Sequence, residues 1–524
     1  MDPTLIHQPA ASAGGPYAAE PHARVTADDR VLVGDIPAQR PGFQPRPALL
    51  AQLNRASQVP VVLTGTWGVG KTQLVAAYAR ARLVAGWRLI AWLSARDSES
   101  LRAGMAAVAE ATGLPDGGSQ QGTADAAAAV RPWLEADGNR CLLVFDDAED
   151  PDLLRRFVPA AGAARVVITT AREPVTRLGT GVPVDVFSAE EALALLDGRT
   201  GLADEAGASA VAAELGHLPL ALDQAAAVIA GQHLDYAAYL TKLRALPLED
   251  DLAREEDGDK QPYLPGVAKA VLLSLEAAWA ADPLGVCTAV MEVMAMLPPA
   301  AVRRDVLRAA GQAGTLLGGG RRVAASMVDQ ALERLNERSL LGFSLDGRAI
   351  SVHGLVARVA RAGLARRGRL ANACRAAACV LHDLVELGDS MPLAIAIGHP
   401  LTADLERTLG PDHPDAMKAR ISLAAAYHAA GRTTEAIPLV RQTLVARERL
   451  LGADHPSTIA SRNNLASAYR VAGRPAEAIP LFEQNAAACQ RLFGAGHPRT
   501  LASRHQLDLA RQEAAHTEHT DQRD

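Results

Sequence analysis

Two short stretches hold residues able to do chemistry. The first, GTWGVGKT from Gly65 to Thr72, fits the spacing G-x-x-x-x-G-K-[ST]. Glycines so placed let successive backbone N–H groups curl inward around phosphate oxygens, and a following helix adds its positive N-terminal end. Lys71 would reach the β- and γ-phosphates of a nucleotide, and the Thr72 hydroxyl would take a place on Mg2+. Gly65, Thr66, Gly68, Val69, Gly70, Lys71, Thr72 and Gln73 form the expected binding set. The second stretch, RCLLVFDDAED, ends an apolar run in two acids. Asp146 falls where Mg2+ would sit, and Asp147 is placed to orient a water for attack on the γ-phosphate. Lys71 and Asp147 are therefore the catalytic candidates.

Such a loop needs a strand before it and a helix after it. VVLT and TQLVAAYARA supply both. From Val31 to about Asp197 the runs VVLTG, RLIAWLS, CLLVFDD and RVVITT alternate with helical patterns. Continuous apolar runs of that length suit a parallel sheet buried on both faces.

The chain of 524 residues is too long for one core. It is 49% apolar but only 4% aromatic, and its abundant alanine favours packed helices. The net charge of −6 is spread without long runs, so neither nucleic acid nor an anionic membrane is expected as a partner. Cys141, Cys287, Cys374, Cys379 and Cys489 form no CxxC pair and read as buried reduced thiols. The N-terminus has no secretory pattern, and no apolar run reaches the ~18 residues of a spanning helix, so a cytoplasmic protein is expected.

Residues 1 to about 30 are rich in Ala, Pro and Gly and read as a disordered lead-in. Residues 198–297 read as all helical, closing near Pro298-Pro299. Residues 298–365 follow as helices and a hairpin around an Asp-Gly turn, the pattern of a winged helix. Its second helix gathers few basic residues beyond Arg334 and Arg338, which argues against DNA binding.

The C-terminal part repeats itself. Gly410, Gly452 and Gly494 are spaced 42 apart, as are His413, His455 and His497, each followed by proline. Arg420, Arg462 and Arg504 keep the same step, as do Leu423, Leu465 and Leu507. Each unit reads as helix, AGR turn, helix, which makes a helical-hairpin solenoid. The spacing of Leu, Tyr, Gly and Ala resembles tetratricopeptide repeats in the 42-residue form of kinesin light chains. Clear units cover about 411–452 and 453–494, with a degenerate unit over 373–410 and one helix of another after 494. The His-Pro pairs read as helix stops, and the tail from 514 to 524 as frayed.

Further motifs resemble one family, the signal-transduction ATPases with numerous domains, of the bacterial NB-ARC plus tetratricopeptide type. RVVITTAR resembles the family's sensor strand, with an alanine inserted before Arg172, which would watch the γ-phosphate. ELGHLPLALDQAA resembles the Gly-Leu-Pro-Leu motif, whose proline, here Pro219, packs on the adenine. FQPRPALLAQL resembles the F-x-x-R element and places Arg46 near the base. ISVHGLVARV resembles the Met-His-Asp motif, with His353 reaching the β-phosphate of ADP and Gly354 where the aspartate would stand. No effector domain is recognised ahead of the loop.

The resemblance covers about residues 34 to 513. It implies a P-loop NTPase parallel sheet (31–197), a helical domain (198–297), a winged helix (298–365) and a tetratricopeptide α-solenoid (366–513). It further implies an ADP-closed, ATP-open switch with slow hydrolysis. A protein or peptide ligand would bind the repeats, homo-oligomers would form with ATP, and a separate chain could act as effector. Two other readings stay open: a constitutively active ATPase remodelling repeat-bound partners, and a repeat adaptor with a structural nucleotide.

Overall fold

The computed structural model describes residues 23–25, 30–55, 60–114, 122–246, 265–297, 302–387 and 391–521. The chain forms two compact units, Glu20–Val380 and one containing Leu381–Asp524. The boundary falls within the helix Leu370–Leu387.

The first unit is built on a seven-stranded sheet. Its strands are β1 (Ala23–Val25), β2 (Val31–Val33), β3 (Val61–Thr64), β4 (Leu89–Ser94), β5 (Cys141–Asp146), β6 (Arg165–Thr169) and β7 (Thr180–Pro183). The order is β1-β2-β4-β5-β6-β3-β7, with β1 antiparallel at the edge and the other six parallel. All four apolar runs read from the sequence are strands of this sheet. The strand β1 lies inside the expected disordered lead-in; its Ala23, Arg24 and Val25 find partners in Val33, Leu32 and Val31. The short TGVP strand β7 has no apolar run to announce it, yet pairs along the whole of β3.

Both faces of the sheet are covered, as a parallel sheet requires. Leu89, Leu93, Leu143, Phe145 and Ile168 share one core with Leu101 and Met105 of the helix Ser98–Ala111 and with Val130 and Leu134 of the helix Gly122–Asp137. Alternation leaves Ile90, Leu142, Val144 and Val167 for the other face. There the helix Lys71–Val84 contacts β4, β5 and β6 and buries Leu74, Val75, Tyr78 and Ala79.

A run of helices follows the sheet. Helices span Ala189–Thr200, Glu205–Glu214, Pro219–Gln232, Tyr236–Ala245, Pro265–Ala280 and Val286–Met296. Ser188 and Glu191 close a reciprocal capping box at the first, and Pro219 opens the third from a position that needs no N–H. The Pro298-Pro299 break lies outside the described residues. Next, Val302–Arg303, Gly342–Phe343 and Ala349–Ser351 form a three-stranded antiparallel sheet. The helices Arg304–Ala313 and Ala325–Glu337 lie between its first two strands in the chain. The expected hairpin around Asp346-Gly347 is present, and the helix Gly354–Arg366 follows.

In the second unit, Met391–Leu409, Pro414–Ala429, Thr433–Leu451, Pro456–Val471, Pro475–Phe493 and Pro498–Asp521 pack as successive neighbours. The His-Pro pairs start helices and do not stop them. His413, His455 and His497 each accept the backbone N–H two residues on through Nδ1, at 3.2, 3.1 and 3.2 Å. Each proline takes the first helical position, where no N–H is missed. The tail expected to fray continues the last helix to Asp521. Among the described residues no helix is long and apolar enough to cross a membrane. The five cysteines form no disulfide; four are buried and Cys379 is partly so.

Candidate functional site

The sheet order gathers the site. Because β3 inserts between β6 and β7, the carboxyl ends of β3, β6, β5 and β4 lie in a row, and ligands of open α/β sheets bind at such a change of order. Register places Leu63 beside Thr169 and Asp146 beside Ser94. The glycine loop leaves β3 and enters the helix that begins at Lys71.

Its glycines adopt conformations that side chains resist. Gly65, Gly68 and Gly70 have φ of 146°, 84° and 94°. A Cβ on Gly65 would lie 2.2 Å from the Val184 carbonyl oxygen. Val69 is buried against Gly65, while Thr66 is exposed. Lys71 lies back over the loop, donating to the carbonyls of Gly65 at 2.8 Å and Thr66 at 3.0 Å. Burial pulls its pKa down, and Asp147 and Asp146 oppose that shift. A cation so desolvated gains from an anion, which fits a phosphate group. Gln73 keeps a buried Oε1 with no hydrogen-bond partner.

Asp146 is held by two hydroxyls. Thr72 Oγ1 donates to its Oδ1 at 3.0 Å and Thr169 Oγ1 at 2.6 Å. Burial raises its pKa, against the pull of these hydroxyls and of Lys71. An all-oxygen pair of a hydroxyl and a half-buried carboxylate is the donor chemistry of a hard divalent cation, so Thr72 and Asp146 fit Mg2+.

Asp147 sits in the left-handed region at φ 58°, and its backbone N–H donates to Thr169 Oγ1 at 2.8 Å. Its carboxylate pairs with Arg96 at 3.4 Å. Burial pushes its pKa up to about 6, with Arg96 opposing the shift. Arg96 also approaches Glu149 at 3.9 Å, and Arg172 meets the same glutamate at 3.8 Å. The backbone N–H of Arg172 donates to Thr170 Oγ1 at 2.9 Å.

Pro219 comes to the loop through its neighbours. The Leu220 N–H donates to the Gly68 carbonyl at 3.2 Å, and Leu218 packs on Gly68. Arg46 is held by an acid and two carbonyls. Its guanidinium meets Glu191 at 3.1 Å and the carbonyls of Asp185 and Val186 at 2.8 and 3.2 Å. It ties its own segment to the connection between the sheet and the first helix of the helical part.

His353 reaches the loop from far along the chain. It caps the helix Gly354–Arg366, its Nδ1 accepting the Leu355 N–H at 3.2 Å. Its ring stands edge-on to Trp67 with centroids 6.4 Å apart. Burial, with Arg40, Lys71 and Arg96 nearby, pulls its pKa down to about 3. The ring is therefore neutral at pH 7, and with Nδ1 accepting, its proton sits on Nε2 as a donor. A Cβ on the following Gly354 would meet open space.

The structure thus brings together Lys71, Thr72, Asp146, Asp147, Pro219 and His353, with Arg172 beside Asp147. Three contributors were not assigned from the sequence. Thr169 was visible in the doubled threonine ending β6; Arg96 and Trp67 carried no signal beyond their position next to a strand end and inside the loop.

Among comparisons with known proteins, a tetratricopeptide repeat family model matches residues 415–484 and 460–518. No curated protein matches the sequence. A solved signal-transduction ATPase with numerous domains from Pyrococcus horikoshii, described as carrying a tetratricopeptide repeat sensor, is 15% identical with a TM-score of 0.47. That alignment covers 88% of this chain and 66% of that one, so the chain spans just under two thirds of its length. A kinesin light chain repeat protein from Podosopora anserina is 25% identical, covering 42% of this chain and 88% of its own, with a TM-score of 0.27. Cdc6p from Pyrobaculum aerophilum is 14% identical, covering 60% of this chain and 92% of its own, with a TM-score of 0.28. The chain thus joins an α/β unit with a parallel sheet to a helical solenoid, and its C-terminal segment is a tetratricopeptide repeat array.

Proposed function

We propose that the chain is a nucleotide-dependent switch of the NB-ARC type, closed with ADP and opened by ATP, that senses a partner through its repeats. The observation that carries this reading is the placement of His353. A neutral Nε2–H donor, mounted on the segment we read as a winged helix, stands against the loop beside Trp67, with Lys71 close enough to perturb it. A donor so placed can hydrogen-bond a bound phosphate, and exchange of the nucleotide would then require that segment to move.

Within the site the chain's own groups divide the work. The loop N–H groups and Lys71 hold phosphate oxygens. Thr72 and Asp146 would hold Mg2+, which supplies charge neutralisation at the phosphates when bound. Asp147 is the group to orient water, and its pairing with Arg96 restrains it in this arrangement, which supports slow turnover. Arg172, which meets Glu149 at 3.8 Å, would be the group to watch the outer phosphate. Assembly into homo-oligomers in the ATP state and a separately encoded effector are part of the same reading. DNA fits less well, because Arg304 and Arg308 are already paired with Asp329, and Arg304 also with Glu333.

The test is the nucleotide content of the freshly purified protein, released by denaturation. Near-stoichiometric ADP is expected, and His353→Ala should lose it. A freely exchanging site would favour instead the ATPase or the adaptor.

A further inference from the structure

The segment that carries His353 is also held at a second place, one helical turn from the phosphate loop. Asp223 lies four residues beyond Pro219 in the helix Pro219–Gln232, about 6 Å along its axis. Its side chain is only 8% exposed. Oδ1 meets Arg199 at 2.7 Å, and Oδ2 meets Arg40 at 3.4 Å. Both guanidiniums continue across to the end of the helix Ala325–Glu337. Arg199 donates to the Glu337 carbonyl at 3.2 Å and approaches Ser339 Oγ at 3.5 Å. The Ser339 carbonyl accepts from Arg40 at 3.4 Å and from Gln224 Nε2 at 3.0 Å. Ser339 is buried with φ 58°, turning the chain sharply out of that helix. A helix C-terminus offers unpaired carbonyls and partial negative charge, and here cations from two other regions supply both partners.

The chain around Arg40 is itself a strap. The Ala38 N–H donates to the Phe343 carbonyl at 2.9 Å, and the Leu345 N–H donates to the Ile36 carbonyl at 2.7 Å. Arg80, on the helix that follows the phosphate loop, donates to the Pro37 carbonyl at 2.6 Å. Packing is close, since a Cβ on Gly42 would lie 3.2 Å from Asp223 Oδ1. Two cations from separate parts of the chain therefore meet one buried carboxylate and reach on to the end of a third part, at Glu337 and Ser339.

We propose that Arg40, Asp223 and Arg199 form a latch that keeps the segment 302–366 folded back on the nucleotide-binding part. The proposal rests on the switch reading for its purpose. Mechanically, a shift of Leu218–Leu220 at Gly68 moves Asp223 in the same rigid helix and so disturbs the guanidiniums that cap Ala325–Glu337. Removing the carboxylate leaves two cations facing each other with no anion between them.

The experiment compares full-length wild type with Asp223→Asn, following release of a fluorescent ADP analogue and amide hydrogen exchange. The latch predicts release at least tenfold faster. It also predicts lost protection at 36–40 and 339–351, with β4, β5 and β6 unchanged. Arg40→Gln, at a position 23% exposed and so better tolerated, should move both readouts in the same direction by less. Unchanged exchange at 36–40 and 339–351 in both variants overturns the latch, and so does a loss spread evenly through the sheet. If wild type binds no ADP analogue, the switch reading fails, and the exchange pattern alone decides the latch.

Discussion

The imidazole of His353 meets the indole of Trp67 edge-on, with centroids 6.4 Å apart and planes at 88°. This contact joins the phosphate loop to a helix cap far along the chain. Edge-to-face pairs contribute about 0.5–1.5 kcal/mol beyond the area they bury, roughly a two- to tenfold effect on an equilibrium. Trp67→Ala should therefore speed ADP release about two- to tenfold, whereas Trp67→Phe, which keeps a ring edge, should change it less than about twofold. Stopped-flow displacement of a fluorescent ADP analogue reads this directly. Release from Trp67→Ala at the wild-type rate would mean that the pair couples nothing.

His353 also sets a pH dependence of stability. Its folded pKa of about 3 lies below the ordinary 6.5, so below pH 6.5 the unfolded chain takes up a proton that the folded chain refuses. Stability from this residue is complete above pH 6.5, falls as pH drops toward 3, and stops changing below. Asparagine keeps an N-cap acceptor and has no such proton to gain. Denaturant unfolding of His353→Asn should therefore lose less stability than wild type between pH 6.5 and 4. Parallel pH curves for the two proteins would refute the assignment of a neutral, half-buried ring.

Asp146 and Asp147 are adjacent in sequence but stand in different surroundings. Asp146 receives the Thr72 and Thr169 hydroxyls, while Asp147 turns through φ 58° to face Arg96. Asp147→Asn should keep nucleotide affinity within about threefold and lower hydrolysis about 10²–10⁴-fold, the usual scale of a lost general base. Asp146→Asn should instead remove the dependence of nucleotide binding on added Mg2+. Equal losses of affinity in both variants would show that the two acids do not divide in this way.

The parts legible in the sequence were those fixed by local chemistry. A strand that must be buried on both faces leaves a run such as CLLVFD, and a phosphate loop leaves glycines at fixed spacing; both lie where expected. The period of 42 likewise marked helices that recur in register. What stayed hidden depends on partners distant in the chain. Ala23–Val25 is a strand only because β2 offers it an edge. Arg96 matters only because β4 lies next to β5. The capping role of His413 and its repeats is not legible in the sequence, because a His-Pro pair can begin a helix as readily as end one. In each case the deciding atom is the ring Nδ1 turned back on the chain.

The repeats contain their own internal control. Arg420 and Arg462 are each 3% exposed and bind Glu406 and Glu448, which lie 14 residues earlier in both units. The third copy differs: Arg504 is exposed and meets Gln490 at 2.9 Å. Arg462 additionally donates to Asn485 Oδ1 at 3.2 Å in the following helix, so it joins three helices. Breaking a fully buried ion pair costs about 3–5 kcal/mol. Because Glu448 is 38% exposed and regains water, about 2 kcal/mol is the better expectation for Arg462→Ala. Arg504→Ala, losing one exposed hydrogen bond, should cost under about 0.5 kcal/mol. Hydrogen exchange across Pro456–Val471 and Pro498–Asp521 in the full chain measures both losses. Equal costs at the two positions would show that the periodic arginine stabilises through its stem alone and not through the charge it buries.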